Sequence, residues 1–315
     1  MTYSNLGKPK VIVICGPTAL GKTSISIDLA KDLNCEIINA DSMQIYRYMD
    51  IGTAKPTTAE QSCVPHHMID IIDPDEPFDA RQFAIMAHEK IKELHIQGIV
   101  PLIVGGSGLY IKALVHGLFN VGPSDVNIRK KLKQKADTHG SNFLHKQLLS
   151  CDPYAAQRIH ANDTYRIIRA LEIYKITGNP ISQLHHEHRF MDKTYKILKF
   201  GLIMARDLLY DRINERVDAM IEAGFVDEVR WLISNGYSTD SKSMQSIGYR
   251  HMVDFIEGNS SWSEVIRTFK RDTRRYAKRQ LTWFKADTEI LWTAPGRVDN
   301  MRRLIKKFLI GIHNK

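Results

Sequence analysis

The sequence predicts an α/β fold: a parallel sheet flanked by helices, interrupted by an all-helical insertion. Three observations carry this. Short apolar runs alternate with helical patterns through the first third, the pattern of right-handed βαβ crossovers. Strand signal then vanishes for about seventy residues and afterwards returns. A glycine-rich turn joins the first apolar run to the first helical pattern.

Taken in order, Val11–Cys15 is a continuous β-branched run, as in a strand buried on both faces. Lys22–Leu33 follows, with Ile25, Leu29 and Leu33 at helical spacing. Glu36–Ala40 and Met68–Ile72 read as strands, Phe83–Ile96 as a helix, and Pro101–Val104 as a strand ended by Gly105-Gly106. Val126–Ala136, Asn142–Leu149, Pro153–Ile159 and Thr164–Thr177 read as helices. Gly122-Pro123, Asp152-Pro153 and Gly178-Asn179-Pro180 punctuate them. Strand character resumes at Lys196–Met204, and a short strand is expected at Glu289–Trp292. The expected organisation is therefore a core over 1–119, a helical insertion over 120–195, and the rest of the core with basic helices over 196–315.

Hydrophobic content of 43% and charged content of 25% suit a globular chain with a sizeable core. Lysine and arginine number 44 against 35 acids, a net charge of +9 that favours a polyanionic partner only weakly. Cys15, Cys35, Cys63 and Cys151 lie far apart without C-x-x-C spacing, so neither zinc nor a dithiol motif is indicated. His66-His67 and the His185–His188 stretch lack accompanying ligands at metal spacing and read as surface histidines. No leader-like or membrane-spanning run is found, so a cytoplasmic protein is expected; a monomer is the default expectation.

Gly16-Pro17-Thr18-Ala19-Leu20-Gly21-Lys22-Thr23 matches the full phosphate-loop pattern between a buried strand and an amphipathic helix. Glycine lets backbone N–H groups converge on an anion, the helix N-terminus adds positive potential, and Lys22 adds a charge. Thr23 would place its hydroxyl on Mg²⁺. The fold expected is P-loop NTPase-like. The motif identifies a bound diphosphate or triphosphate and leaves the rest of the ligand open.

Asp41 lies just past the second strand, at the sheet edge where ligands bind in open α/β folds. It is a candidate general base; a Mg²⁺ ligand or a helix cap are the other readings, with Asp70 and Asp73 as rival Mg²⁺-side carboxylates. The Gly105-Gly106-Ser107-Gly108 turn offers N–H groups and a hydroxyl to a second phosphate oxygen, or is an ordinary strand-to-helix turn. From Arg267 to Lys285 eight basic residues stand against one acid. On a helix Arg267, Arg271, Arg274 and Lys278 share a face, with aromatics interleaved as stacking partners for bases. Arg166 and Arg169 form a second basic spot. Gln245–Arg250 is a polar turn equipped to hold a splayed RNA loop.

Gly16–Thr23, Asn39–Tyr46, Asp50-Ile-Gly-Thr-Ala-Lys-Pro56, Val104–Tyr110, Gln245–Arg250 and Lys278–Phe284, in this order, resemble the bacterial tRNA dimethylallyltransferase family. The resemblance runs from about residue 10 to 290. It implies transfer of a dimethylallyl group from dimethylallyl diphosphate to N6 of adenosine 37 in tRNA. It implies that Asp41 is the general base, and that Thr18, Lys22, Thr23, Mg²⁺ and Arg206 hold the leaving diphosphate. Ser107 stands where the family usually has threonine, so the hydroxyl is kept. It further implies tRNA contacts at Asp41, Ser42, Met43, Gln44 and Ser107, and at Arg129, Arg166 and Arg169. Gln245, Gly248, Tyr249 and Arg250 join these, as do Lys278, Arg279, Gln280, Trp283 and Lys285. The insertion matches a mobile domain that closes around the anticodon stem. Eukaryotic members carry a C-terminal zinc finger; none is expected after Phe308 here, which fits the bacterial form. Two rivals are a prenyltransferase acting on free adenine nucleotides, which needs no RNA apparatus, and an ATP-dependent RNA-binding protein or kinase.

Overall fold

The computed structural model describes residues 8–118, 125–188 and 194–311. The chain divides into two compact units, one of residues 1–115 and 193–315 and one of residues 116–192. The joins read from sequence lay at 119/120 and 195/196. The turn Gly122-Pro123 lies outside the described residues.

The first unit is built on one sheet of six parallel strands: β1 (Lys10–Cys15), β2 (Cys35–Asn39), β3 (His66–His67), β4 (Val100–Gly105), β5 (Lys196–Leu202) and β6 (Ile290–Thr293), in the order β3-β2-β4-β1-β5-β6. Its first helices are α1 (Lys22–Leu33), α2 (Thr58–Cys63), α3 (Ala80–Ile96) and α4 (Gly108–His116). β1 is central, with Ile12, Ile14, Leu102, Val104, Phe200 and Leu202 packed against Ile25 and Leu29 of α1. The period-2 alternation turns Val13, Ile38 and Ile103 to the opposite face, where they are also buried. Burial on both faces explains why these strands read as continuous apolar runs. α3 starts at a reciprocal cap between Asp79 and Gln82.

The expected strand at Met68–Ile72 does not form. Met68 and Asp70 have positive φ values of 65° and 53°, which break an extended run. The N–H groups of Asp70, Ile71 and Ile72 instead bond the carbonyls of Gln44 and Ile45, and pairing with β2 is confined to His66 and His67. This crosslink fastens the loop after β2, which carries Asp41.

The second unit holds α5 (Val126–His139), α6 (Ser141–Cys151), α7 (Pro153–Arg158), α8 (Thr164–Thr177) and α9 (Ile181–His188). Leu132, Leu144, Leu148, Ile167 and Leu171 form its core. Asp125, Asp152 and Asp163 cap α5, α7 and α8, which fixes where each begins. α9 is a helix that the sequence reading did not include.

The first unit continues with α10 (Arg206–Glu222), α11 (Phe225–Ser234), α12 (Tyr249–Ile256), α13 (Trp262–Lys285) and α14 (Val298–Ile310). α10 and α12 both pack on α13. Glu228 of α11 accepts hydrogen bonds from the N–H groups of Asp50, Ile51 and Gly52 at 2.9, 2.7 and 3.2 Å, and from the Tyr249 hydroxyl at 2.6 Å. This seats Gly52 so closely that an added Cβ would lie 2.2 Å from Phe225 and 2.6 Å from Tyr249, both fully buried rings. Gly52→Ala therefore overpacks the site. We expect a loss of about 2 kcal/mol, typical of an extra methyl in a rigid core, and a Tm lower by roughly 4–8 °C in a thermal melt. An unchanged melt would show that the rings yield.

Candidate active site

The C-terminal ends of β1, β2 and β4 open onto a cavity of about 310 Å³, closed by α10, the 246–249 turn and α13. Thr18, Ala19, Gly21, Lys22 and Thr23 line it from the phosphate loop. Gly16 has φ 140°, and an added Cβ would meet the Leu202 carbonyl at 2.9 Å, so only glycine fits between β1 and β5 here. Gly16, Pro17 and Leu20 are buried and do not line the cavity; Leu20 belongs to the core.

Two cations and one carboxylate face this space. Lys22 donates to the Pro17 carbonyl at 2.8 Å. Burial, and next the positive charge of Arg216, bring its ammonium down to about 8, with Asp41 acting in the opposite direction. Burial also lowers the Arg216 guanidinium, and Asp41 again opposes. Two mutually repelling cations in a half-buried cavity make a site for a polyanion. The carboxylate of Asp41 accepts the Met43 N–H at 2.9 Å, which orients it at the strand end.

The arginine at the cavity is Arg216, not Arg206. Arg206 is the first residue of α10, exposed, with its guanidinium 5.1 Å over the Tyr210 ring and outside the lining. Arg216 lies nearly three turns further on, beside Val217 and Met220, on the side of α10 that faces the cavity. Ser107 is also displaced from its expected place. It does not line the cavity; its hydroxyl accepts the Ser42 N–H at 2.9 Å and donates to the Ser42 hydroxyl at 3.1 Å, which holds the Asp41 loop from behind. The rival carboxylates stay out as well. Asp70 pairs with buried Lys55 at 2.5 Å, and Asp73 with Arg47 at 3.0 Å.

Gln280 is buried and ties three elements together. Its carbonyl accepts the Thr18 N–H at 3.0 Å, and its amide donates to the Gly106 carbonyl at 3.0 Å. It is thus a strut between α13, the phosphate loop and the β4 turn, rather than an exposed RNA contact. Tyr276, absent from the expected set, adds a phenol to the cavity lining beside Gln280; burial and then the Asp41 charge hold it well above its usual pKa. Ser246 lines the cavity with a buried hydroxyl that has no partner among the described residues, a polar group ready for a ligand.

The RNA-side residues divide. Lys278, Arg279, Trp283 and Lys285 are exposed on α13. Met43, Ser42 and Gln44 line the cavity, with the Gln44 amide held by the Thr53 and Ala54 carbonyls at 3.1 Å. Gly248 and Tyr249 are buried, and Gln245 is exposed with its amide on the Thr239 carbonyl. Arg250 and Arg271 converge on Asp272; burial works against that carboxylate's charge, but their hydrogen bonds hold it down at about 2. Arg274 bonds Asn214 at 2.7 Å and Arg267 pairs with Glu264 at 2.6 Å, so much of the basic face is internally engaged. In the second unit Arg166 pairs with Asp163, and Arg129 and Arg169 both reach Glu172.

Among the described residues no group of three His, Cys, Asp or Glu side chains could hold a metal ion. That donor set still fits Mg²⁺ of the phosphate-loop kind, which takes one or two protein oxygens and the rest from water and phosphates. Thr23, which lines the cavity next to Lys22, is the residue that would offer such an oxygen.

The IPP transferase family model matches residues 44–287. The chain belongs to this family. The tRNA dimethylallyltransferase of Desulfosudis oleivorans is 49% identical over 303 residues, 96% of each chain. That of Syntrophobacter fumaroxidans is 51% identical over 295 residues, 92% of this chain and 86% of its own. The solved tRNA isopentenylpyrophosphate transferase of Bacillus halodurans is 43% identical with a TM-score of 0.71, covering 97% of this chain and all of that one. A solved eukaryotic dimethylallyltransferase acting on tRNA is 29% identical with a TM-score of 0.80, covering 98% and 81%. The family model begins after the phosphate loop and Asp41; the nearly full-length relatives extend the likeness across both.

The charge balance at this family member's cavity gives a pH prediction. An anion favours the charged form of Lys22, so its binding takes up a proton wherever Lys22 is neutral. Affinity for inorganic diphosphate is expected to fall as pH rises through about 8, by up to roughly tenfold per unit above it. Calorimetry at pH 7 and pH 9 checks this; a flat profile would remove Lys22 from the site.

Proposed function

We propose that the chain transfers a dimethylallyl group from dimethylallyl diphosphate to N6 of adenosine 37 in tRNA, releasing diphosphate. The observation that carries this is that Asp41, Lys22 and Arg216 line one cavity, with the Asp41 charge acting on the titration of both cations. A proton acceptor and cations suited to a leaving diphosphate thus share one cavity. Family membership supports the reaction class and the tRNA substrate.

In the proposed reaction the N6 lone pair forms a bond to C1 of the dimethylallyl group. The C1–O bond breaks and its electron pair leaves with diphosphate. Asp41 accepts the N6 proton. Lys22 and Arg216 meet the charge that develops on the departing oxygens, the place where electrostatic stabilisation has most effect. Thr23 would hold Mg²⁺, which supplies further charge neutralisation on the diphosphate. Apolar side chains of Val217, Met220, Ile247 and Phe269 line the same cavity and suit a five-carbon hydrocarbon. Exposed Lys278, Arg279 and Trp283 on α13 supply charge and a stacking surface for RNA. No helix among the described residues is long and apolar enough to cross a membrane. We place the protein in the cytoplasm as a monomer.

Incubation of unmodified tRNA with the protein, Mg²⁺ and dimethylallyl diphosphate tests the reading. Mass spectrometry of digested nucleosides is expected to show N6-isopentenyladenosine, and free AMP in parallel is expected to stay unmodified. Modified AMP would favour the free-nucleotide rival, and turnover of ATP alone the kinase.

A further inference from the structure

In the second unit one buried carboxylate is shared by two guanidiniums. Glu172 is completely buried on α8, among the residues of that unit's core. Its Oε1 accepts the Asp125 N–H at 3.0 Å. Its Oε2 accepts Arg129 Nε at 2.9 Å and Arg169 Nη1 at 2.7 Å. One carboxylate oxygen thus holds two guanidiniums from two helices, α5 and α8. A buried carboxylate is costly unless it is paired, and one arginine suffices to pair it. The second adds a like charge in contact with the first, while the neighbouring Asp125 carboxylate is turned to the N–H groups of Asn127 and Ile128. Arg166, by contrast, sits one-to-one with the cap residue Asp163.

Each guanidinium gives Glu172 only one of its N–H-bearing nitrogens. The side chains of Arg129 and Arg169 remain 39% and 32% exposed, and their other nitrogens have no partner among the described residues. A guanidinium presents five donors in a planar fork that matches phosphate geometry, and it loses little freedom on binding when already held in place. Both forks meet at one oxygen, so they lie within reach of a single phosphate.

We infer that Glu172 is a positioning residue: it fixes Arg129 and Arg169, which the family resemblance already implies as tRNA contacts, so that both guanidiniums meet one phosphate of the RNA backbone. The inference rests on the reading that tRNA is the substrate. It assigns Glu172 a role in RNA binding although its own charge is repelled by RNA.

That sign makes the test sharp. Glu172→Gln removes one negative charge, so the net charge of the chain rises by one. If these arginines act only through net charge, binding of tRNA holds or tightens. If geometry matters, binding weakens. We expect a Kd for unmodified tRNA weaker by roughly tenfold in Glu172→Gln, with the slope of log Kd against log salt flatter by about one phosphate contact. Arg169→Lys keeps its charge and loses the fork; it is expected to lose affinity in the same direction, with the change falling on KM for tRNA more than on kcat. Thermal melts report whether Glu172→Gln is folded; where it is not, Arg169→Lys and Arg129→Lys decide the question. A folded Glu172→Gln that binds as well as wild type with an unchanged slope overturns the inference, as do lysine variants that bind normally. Wild-type protein that fails to bind tRNA at all overturns the functional reading first, and this site with it.

Discussion

Asp41→Asn is expected to slow the chemical step by roughly 10²–10⁴-fold, the span of a lost general base, while tRNA is still bound. The amide is close in shape to the carboxylate and its oxygen can still accept the Met43 N–H at 2.9 Å, so the loop keeps its geometry. What is lost is the ability to take a proton from N6. The loop is also fixed independently of Asp41: Ser107 holds Ser42, and the Ala40 N–H donates to the Val104 carbonyl at 2.7 Å. A second effect adds to the first. The Asp41 charge supports protonation of Lys22 and Arg216, so its removal lowers the affinity for diphosphate as well. Single-turnover rates at saturating donor separate the two, because saturation removes the binding term. A near-normal rate there would reject Asp41 as the base, whereas a deficit cured by more donor would make it an electrostatic support for the cations.

How much of this was legible in the sequence follows from how local each feature is. The phosphate loop, β1 and α1 are contiguous, and each reports its own structure: a run buried on both faces, a glycine that no side chain can replace, an amphipathic helix. α8 begins and ends where the spacing put it, Thr164 to Thr177, because Asp163 caps one end and Gly178 the other. Met68–Ile72 failed as a strand because its apolar content is shared with a segment that turns through two positive-φ residues; composition does not encode that turn. Among site residues, Asp41 was legible from its position after a strand, but Ser107 is turned away from the cavity by its contact with Ser42, a residue 65 positions earlier. The density of positive charge over Arg267–Lys285 overstated the free basic surface, since partners such as Asp272, Glu264 and Asn214 neutralise or bind much of it. Gln280 and Arg216 left a fainter signal. Both are polar residues on the apolar stripe of an amphipathic helix: Gln280 with Phe269, Ala277 and Phe284, and Arg216 with Leu209, Ile213 and Val217. A polar group on such a stripe must be satisfied by a partner or by a ligand.

Arg216 therefore separates the sequence reading from the structural one, and its replacement is the second large effect. Arg216→Ala is expected to lower kcat by roughly 10²–10³-fold, the cost of losing one well-placed donor to charge that develops in the transition state. The physical reason is location. The guanidinium shares a half-buried cavity with Lys22, where its charge is less screened than on the surface as diphosphate departs. Loss of Arg216 also relieves the repulsion it exerts on Lys22, so the Lys22 pKa should rise from about 8. The fall of diphosphate affinity with pH is then expected to move to higher pH in this variant, a signature that a general loss of structure would not produce. Arg206→Ala serves as the internal contrast. Its side chain is exposed over Tyr210 and outside the cavity, so its effect should stay within about twofold, as for most surface substitutions. If the two results come out reversed, with Arg206→Ala nearly inactive and Arg216→Ala nearly normal, then α10 must rotate or slide when the substrates bind, and the leaving-group arginine is the one at its first turn.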